Sequence, residues 1–268
     1  MSIKLKFLTV NLILFLSAGC AVNPITGKEE LMLMGEEQDA AIGKKYAPEL
    51  EKQMGGKINN AALQNYVNTV GQKVANVSHR RSWNYQFVAL DDDMVNAFAL
   101  PGGYIFITKG MLKQLTTESQ LAAILGHETA HVVARDTAAL MSREIGISIL
   151  LSAAMSDSTS STARTAADLT RQIIGLRFSR SDEKDADLAG LDYMVRAGYD
   201  PNGMVETMQI LQNQQKERPI EFFSTHPNPE NRIGYLKSRI AARYRKTEGL
   251  RIGKEDFHSA VLVHIKKD

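Results

Sequence analysis

The sequence contains little cysteine, little net charge and few long apolar stretches. One cysteine in 268 residues excludes an intramolecular disulfide framework. The 32 basic and 30 acidic side chains leave a formal net charge of +2, so the dense basic surface that nucleic-acid binding needs is not indicated. A hydrophobic fraction of 44% is typical of a globular chain with a substantial core and differs from that of a polytopic membrane protein.

The first residues predict export. Lys4 and Lys6 precede an apolar run, residues 7–18, which is shorter than the roughly 20 residues needed to span a bilayer. The run leads into Leu16-Ser17-Ala18-Gly19-Cys20, which resembles a bacterial lipobox, in which the cysteine is lipidated. The alternative is an ordinary signal peptide that happens to end in cysteine.

We therefore expect residues 1–19 to be a lipoprotein signal peptide and Cys20 to carry the lipid anchor. Residues 20–268 would form a single domain, of which residues 20–35 are an N-terminal tether. Ala21 resembles the residue that directs lipoproteins to the outer membrane of enteric bacteria. The predicted location is the outer membrane, facing the periplasm.

Periodicity predicts a mostly helical α+β domain with a small antiparallel sheet. Two helices are expected between Glu36 and Val77, separated near Gly55-Gly56, and Asn23 to Gly27 reads as a turn. Strands are expected over residues 85–90, 95–100 and 104–108, with a possible further strand at 261–263. Thr117 and Gln120 fit a capping box that opens a long helix. Ser181 is expected to cap a helix that ends at Ala197, and Asn228-Pro229 to begin a helix that ends at about Tyr244. Residues 156–170 are expected to be a mobile loop.

The strongest chemical signal is His127-Glu128-Thr129-Ala130-His131, within the helix that Thr117 is predicted to cap. Residues four apart share a helix face, so both imidazoles can bind one ion, and Glu128 lies beside them within reach of a water molecule on it. The pattern predicts a zinc-dependent hydrolase with Glu128 as the general base. In the alternative interpretation, two core histidines merely pack together.

A catalytic zinc ion usually has three protein ligands, so a third must be found. The metzincin pattern is excluded, because Ala134 and Thr137 stand where it needs glycine and histidine. The best candidate is a carboxylate within Asp182-Glu183-Lys184-Asp185-Ala186-Asp187, although acids at a helix start are also favoured by the helix dipole. Spacing does not choose among them, but it lets Glu183 and Asp187 share a face, one as ligand and the other orienting an imidazole.

Five motifs in order make the chain similar to the HtpX, BepA and CAAX-prenyl-protease-like family of zinc metallopeptidases, and most closely to its small lipoprotein members. The motifs are Asn23-Pro24-Ile25-Thr26-Gly27, the run from Asn96 to Gly103, the run from His127 to His131, the run from Glu183 to Asp187, and Ser224-Thr225-His226-Pro227 with Arg232. The resemblance covers nearly the whole mature chain and implies a zincin-like metallopeptidase domain.

The resemblance also implies a set of functional residues. It implies one zinc ion per chain, bound by His127, His131 and Glu183. Glu128 would be the catalytic base, and Asp187 would support the site. His226 and Arg232 would lie near the attacking water or the oxyanion. Family members often have histidine after the arginine that follows the motif, where this chain has Arg135-Asp136. The resemblance therefore assigns no role to Asp136.

A peptidase must hold an extended substrate backbone beside the metal. The segment Asn96-Ala97-Phe98-Ala99 is the candidate, because a substrate could add to it as a further strand. The neighbouring strand over residues 104–108 is an alternative, and both could equally be core strands.

Together these observations predict a membrane-anchored zinc metalloendopeptidase that hydrolyses unfolded or misassembled envelope proteins in periplasmic quality control. The alternative is an envelope scaffold or chaperone-like lipoprotein in which zinc is only structural. The peptidase and the scaffold differ in the role of Glu128, because only catalysis requires this residue as a general base.

Overall fold

A computed structural model of the chain describes residues 19–144 and 175–265. The predicted signal peptide, apart from Gly19, and the predicted loop over residues 156–170 lie outside the described residues. The strands are β1 (Cys20–Val22), β2 (Glu29–Leu31), β3 (Gln86–Leu90), β4 (Ala97–Leu100) and β5 (Tyr104–Thr108). The helices are α1 (Glu36–Gln53), α2 (Ala61–Ala75), α3 (Lys109–Leu112), α4 (Glu118–Ala134), α5 (Arg180–Arg196), α6 (Asn202–Glu217), α7 (Phe222–Thr225), α8 (Arg232–Arg243), α9 (Lys254–Phe257) and α10 (Val263–Ile265).

This architecture is the predicted α+β fold, and it is mostly helical. Residues 136–144 are also helical, and a π-helical stretch, His258–Leu262, joins α9 to α10. The strand predicted over residues 261–263 is therefore wrong. Among the described helices, none combines the length and the apolarity needed to cross a membrane.

The main sheet is mixed, with strand order β3-β5-β4. A tight turn at Pro101-Gly102-Gly103 makes β4 and β5 an antiparallel hairpin, in which Ala97 faces Ile107. β3 pairs with β5 in parallel, so the expectation of a purely antiparallel sheet is wrong for this pair. The connection over residues 91–96 carries the chain to the far side of β5, which becomes the central strand.

Two predicted helix starts are also displaced. α5 begins after Ser179 rather than Ser181, because the Ser179 hydroxyl accepts from the Asp182 N–H (3.1 Å) while the Asp182 carboxylate accepts from the Ser179 N–H (2.9 Å). α8 begins at Arg232 rather than Pro229, because Asn231 has a left-handed φ of 54° that a helix cannot include.

The N-terminal residues form structure that the sequence analysis did not predict. β1 and β2 make a hairpin around the predicted turn, in which the Asn23 side chain accepts the Ile25 N–H at 2.9 Å. Met32, which follows the hairpin, packs against Ala138 and Ala139 just beyond α4. This segment therefore contacts the C-terminal end of the motif helix.

Every residue of α4 is buried, and its N-terminus is held by one buried acid. Glu118 accepts hydrogen bonds from the hydroxyls of Tyr66 (2.7 Å) and Tyr199 (2.8 Å) and from Arg251 (2.8 Å). Burial disfavours the charged carboxylate, but these donors outweigh it and lower the pKa of Glu118. The charge stays ionised beside the positive end of the helix dipole.

A contact between two glycines sets the distance between α4 and α5. A Cβ on Gly126 would lie 2.9 Å from the carbonyl oxygen of Gly190, and one on Gly190 would lie 2.8 Å from the backbone nitrogen of His127. The helices can approach this closely only because neither residue has a side chain. The crossing lies directly beside His127.

We expect Gly126→Ala to destabilise the fold, although alanine is intrinsically the better helix former by about 1 kcal/mol. The added methyl group overpacks the crossing, which typically costs about 1–3 kcal/mol. Urea unfolding measures the change, and Ala41→Gly at an exposed position of α1 calibrates the propensity contribution in this fold. Unchanged or increased stability of Gly126→Ala would contradict the importance of the crossing.

Candidate metal centre

The two motif histidines meet within the core. His127 and His131 lie one turn apart on α4, are 0% and 1% exposed, and bring their Nε2 atoms to 3.1 Å from each other. Glu128 lies on the same turn and is also buried. The one-turn spacing therefore places both imidazoles as the sequence predicts.

α5 supplies a carboxylate to the same point. Glu183 Oε1 lies 3.3 Å from His131 Nε2, and Glu183 Oε2 lies 3.4 Å from His127 Nε2. Asp182 instead caps its own helix, and Asp185 is only partly buried on another face. Of the acids that spacing left open, Glu183 is the one that the fold brings to the Nε2 atoms of both histidines.

His226 joins this group from the residue that follows α7. Its Nδ1 lies 2.8 Å from Glu183 Oε1 and 3.3 Å from His127 Nε2, and its ring stacks on Phe222 with a centroid distance of 4.5 Å. The sequence analysis expected His226 near the site, as an oxyanion donor. The structure places it among the donor atoms themselves, so the cluster has four members rather than three.

The donor set fits a divalent metal ion. Three imidazole nitrogens and a carboxylate oxygen are ligands that zinc prefers, and ligand atoms about 2.0–2.1 Å from a tetrahedral zinc lie about 3.3 Å apart. The measured separations of 2.8–3.4 Å are close to that value. Glu183 Oε2 is buried without a hydrogen-bond partner among residues 19–144 and 175–265, as expected for an atom that awaits a ligand.

Two further carboxylates orient the motif histidines from behind. Asp187 Oδ1 lies 3.1 Å from His127 Nδ1, and Asp136 Oδ2 lies 2.7 Å from His131 Nδ1. The contact of His131 with Asp136 is a hydrogen bond, and since an ionised carboxylate only accepts, His131 Nδ1 carries the hydrogen and its Nε2 lone pair faces the cluster. His127 Nδ1 faces Asp187 at contact distance without forming a hydrogen bond. The sequence analysis found Asp187 but missed Asp136.

A buried arginine neutralises part of this negative charge. Arg232 donates to Asp187 at 2.6 Å and lies 3.6 Å from Glu183, and the hydroxyl of Tyr235 also donates to Asp187. Tyr235 was missed, because its place three residues after Arg232 is informative only once α8 is known to face α5. No motif in the sequence indicates it.

The charges of the cluster shift one another's pKa values. Burial alone would lower the pKa of His127 and His131, but the carboxylates around them raise both. Burial alone would raise the pKa of Glu183 and Asp187, but the histidines and Arg232 lower both. Burial raises the pKa of Asp136 to about 6, against the opposing effect of His131.

Glu128 is the one acid of the motif without a partner. Both of its carboxylate oxygens are buried and accept no hydrogen bond within the described part of the chain. The imidazole of His226 lies beside it, with Nε2 at 3.7 Å from Glu128 Oε1. A buried carboxylate in this condition is costly unless a ligand or a water molecule completes it.

The predicted substrate segment lies on the sheet edge nearest the cluster. Ala97, Phe98 and Ala99 belong to β4, an edge strand, and Asn96 is buried just before it. A narrow cavity lies between β4 and His226, lined also by Phe178 and Thr225. The alternative strand, β5, is the central strand and has no free edge.

Comparison with known proteins identifies relatives of the chain. Residues 61–240 match peptidase family M48. The β-barrel assembly-enhancing protease of Yersinia pestis is 30% identical over 217 residues, which is 76% of this chain and 44% of that protein. The mitochondrial metalloendopeptidase OMA1 of Schizosaccharomyces pombe is 34% identical over 188 residues, 68% of this chain and 55% of that protein. The metalloprotease YcaL of Escherichia coli K12 is 26% identical over 59% of this chain. The chain thus spans about half of the first two relatives.

Arg232→Met should cost far more stability than Arg239→Met, although both arginines reach from α8 to an aspartate on α5 at 2.6 Å. The Arg232 pair is fully buried, so its loss leaves Asp187 uncompensated and costs about 3–5 kcal/mol. The Arg239 pair is partly exposed and should cost about 1 kcal/mol or less. Urea unfolding in the presence of a chelator compares the two, and similar losses would refute the role of Arg232 as a buried counter-charge.

Proposed function

The chain belongs to peptidase family M48, and on this premise we propose that it is a zinc-dependent endopeptidase of the bacterial envelope. The observation that carries the proposal is a buried Glu128 without a hydrogen-bond partner beside a cluster of three imidazoles and a carboxylate. Family membership implies a divalent metal, and the nitrogen-rich donor set favours zinc.

His127, His131 and Glu183 are the proposed zinc ligands. When bound, zinc supplies Lewis acidity, which polarises a peptide carbonyl and makes a water molecule acidic enough to lose its proton near pH 7. Asp136 accepts the Nδ1 hydrogen of His131, and Asp187 lies 3.1 Å from His127 Nδ1, so that each Nδ1 faces a carboxylate and each Nε2 faces the cluster. The ligand rings are therefore oriented before the metal binds.

Glu128 is the proposed base. Its unpartnered carboxylate takes a proton from the attacking water and later delivers it to the leaving amine. His226 donates a hydrogen bond to the carbonyl oxygen as it becomes the oxyanion of the tetrahedral intermediate, and Arg232 supports the site through its contact with Asp187. For this role His226 has to give up its place beside Glu183 when a peptide binds.

β4 is the proposed substrate-binding strand. The outer edge of β3 is already covered, since the Ile58 N–H donates to the carbonyl of Ala89 (3.0 Å). The side-chain amide of Gln64 donates to the same carbonyl and accepts from the Ala89 N–H. β4 occupies the other edge and lies against the cavity beside His226. A peptide added there would be read through its backbone, so side-chain selectivity would be broad.

We also propose that the enzyme is attached to a membrane of the cell envelope through lipid on Cys20. The lipobox-like residues that end at Cys20 and the exposed position of this cysteine support the attachment. The bacterial relatives are named for proteolysis that enhances β-barrel assembly. By extension, the proposed substrates are unfolded or misassembled envelope proteins, and the proposed site of action is the periplasmic face of the outer membrane.

A second candidate function is a zinc-stabilised scaffold or chaperone-like lipoprotein without catalysis. The position of His226 favours it, because four protein ligands are typical of structural zinc. The buried Glu128 without a hydrogen-bond partner favours catalysis, because a structural zinc site does not require a general base beside its ligands.

Glu128→Gln should abolish hydrolysis of unfolded casein while zinc content stays at one ion per chain. The amide has nearly the size of the carboxylate but cannot take the proton. Zinc is measured by elemental analysis and hydrolysis by release of labelled peptides. Glu183→Ala is the matched control, because loss of a ligand should remove both zinc and hydrolysis. Undiminished cleavage by Glu128→Gln would eliminate the proposed base, and a wild type that binds zinc without any cleavage would favour the scaffold.

Cys20→Ser should abolish incorporation of a fatty-acid analogue when the full-length chain is expressed in a bacterium. The serine hydroxyl cannot form the thioether to lipid, so the label should be lost completely. Ser17→Ala keeps the cysteine and serves as the control, with label expected at the wild-type level. A wild-type chain without label would show that Cys20 is not lipidated.

A further inference from the structure

The C-terminal end of α4 has an unusual backbone conformation. Arg135 caps the helix with φ 61° and ψ 33°, a left-handed conformation that is unfavourable for a residue other than glycine. Beyond it the chain is helical again over residues 136–144. The change of direction brings Asp136 back toward His131, five residues earlier.

A buried ion pair from the N-terminal part of the chain holds this turn. Arg135 Nε donates to Asp39 Oδ2 at 2.6 Å, and Arg135 Nη2 donates to the carbonyl of Met34 at 2.6 Å. The two side chains are 5% and 2% exposed. Because Asp39 lies on α1, a segment 96 residues away in sequence fixes the conformation of the helix cap.

The contact between Asp136 and His131 depends on that cap. Asp136 Oδ2 accepts the hydrogen of His131 Nδ1 at 2.7 Å, and Phe178 stacks on the other side of the imidazole at 4.1 Å between centroids. In an uninterrupted helix, residues five apart do not face each other, so a continued α4 would carry Asp136 away from His131. The left-handed Arg135 is therefore what makes the hydrogen bond possible.

We propose that Asp136 is a positioning residue for His131, and that Asp39 holds it in place through Arg135, so that metal affinity depends on how the N-terminal segment docks. The inference rests on the proposed metal site. It assigns a role to Asp136, the position at which the chain departs from the family pattern, and to the otherwise unexplained buried pair of Asp39 and Arg135.

The test measures the zinc dissociation constant of the full-length protein in detergent by competition with a chromophoric chelator. Asp136→Asn should raise the constant about 10–100-fold, the usual effect of removing an orienting partner. Asp39→Asn leaves Asp136 intact but should still raise the constant several-fold. The double variant should bind zinc no more weakly than Asp136→Asn alone, because both changes act on the same hydrogen bond.

Two further proteins keep the test decisive. Glu36→Gln alters the exposed ion pair that the first turn of α1 makes with Arg80, and it should bind zinc as the wild type does. If Asp39→Asn fails to fold with Arg135 unpaired, the double variant Asp39→Asn/Arg135→Gln removes both buried charges and should show the same weakened binding. The visible spectrum of Co²⁺-loaded protein reports whether His131 has changed its orientation.

The possible outcomes distinguish a failure of this inference from a failure of the proposed function. Wild-type affinity in the folded Asp39 variants, or fully additive losses in the Asp39→Asn/Asp136→Asn double variant, would overturn the inference while the metal site stands. A wild-type protein that binds neither Zn²⁺ nor Co²⁺ would overturn the proposed function together with the inference.

Discussion

The close crossing of α4 and α5 is the constraint on which the rest of the structure depends. Gly126 and Gly190 let the two backbones touch, and side chains within two turns of the crossing on each helix then meet at 3.3–3.4 Å. His127 and His131 come from one helix, and Glu183 and Asp187 come from the other. If an added methyl group pushed the helices apart, the donors would move by more than the tolerance of a metal site, which is about 0.2 Å in each metal–ligand distance.

The crossing also concentrates charge where water cannot screen it. Four buried carboxylates, those of Glu128, Asp136, Glu183 and Asp187, surround the histidines, and the buried guanidinium of Arg232 contacts two of them, Glu183 and Asp187. Such an excess of negative charge needs further cations. The carboxylates raise the pKa of His127 and His131, so protonation of these rings and binding of a divalent ion are two ways to add positive charge here. Protons and metal therefore compete for the same site.

The sequence predicted those parts of the site that follow from local geometry. The helix that carries the motif histidines and its Thr117 cap depend on spacing within a few residues, and these predictions are confirmed. The sheet order, the place of His226 among the donors and the role of Asp136 depend on contacts between distant segments. Asp136 illustrates the difference, because its contact with His131 requires a left-handed Arg135, and only Asp39 on another helix explains that conformation.

The donor cluster exists only when the chain is folded. His127 and His226 are 99 residues apart, and Glu183 reaches His226 across 43 residues, so an unfolded chain offers no comparable site. A ligand that binds only the native state stabilises it by about 2.7 kcal/mol at a hundredfold excess over its dissociation constant. Metal binding thus stabilises the same helix crossing that creates the site. Since α1 and the N-terminal hairpin contact the end of α4, the docking of the N-terminal segment is part of that equilibrium as well.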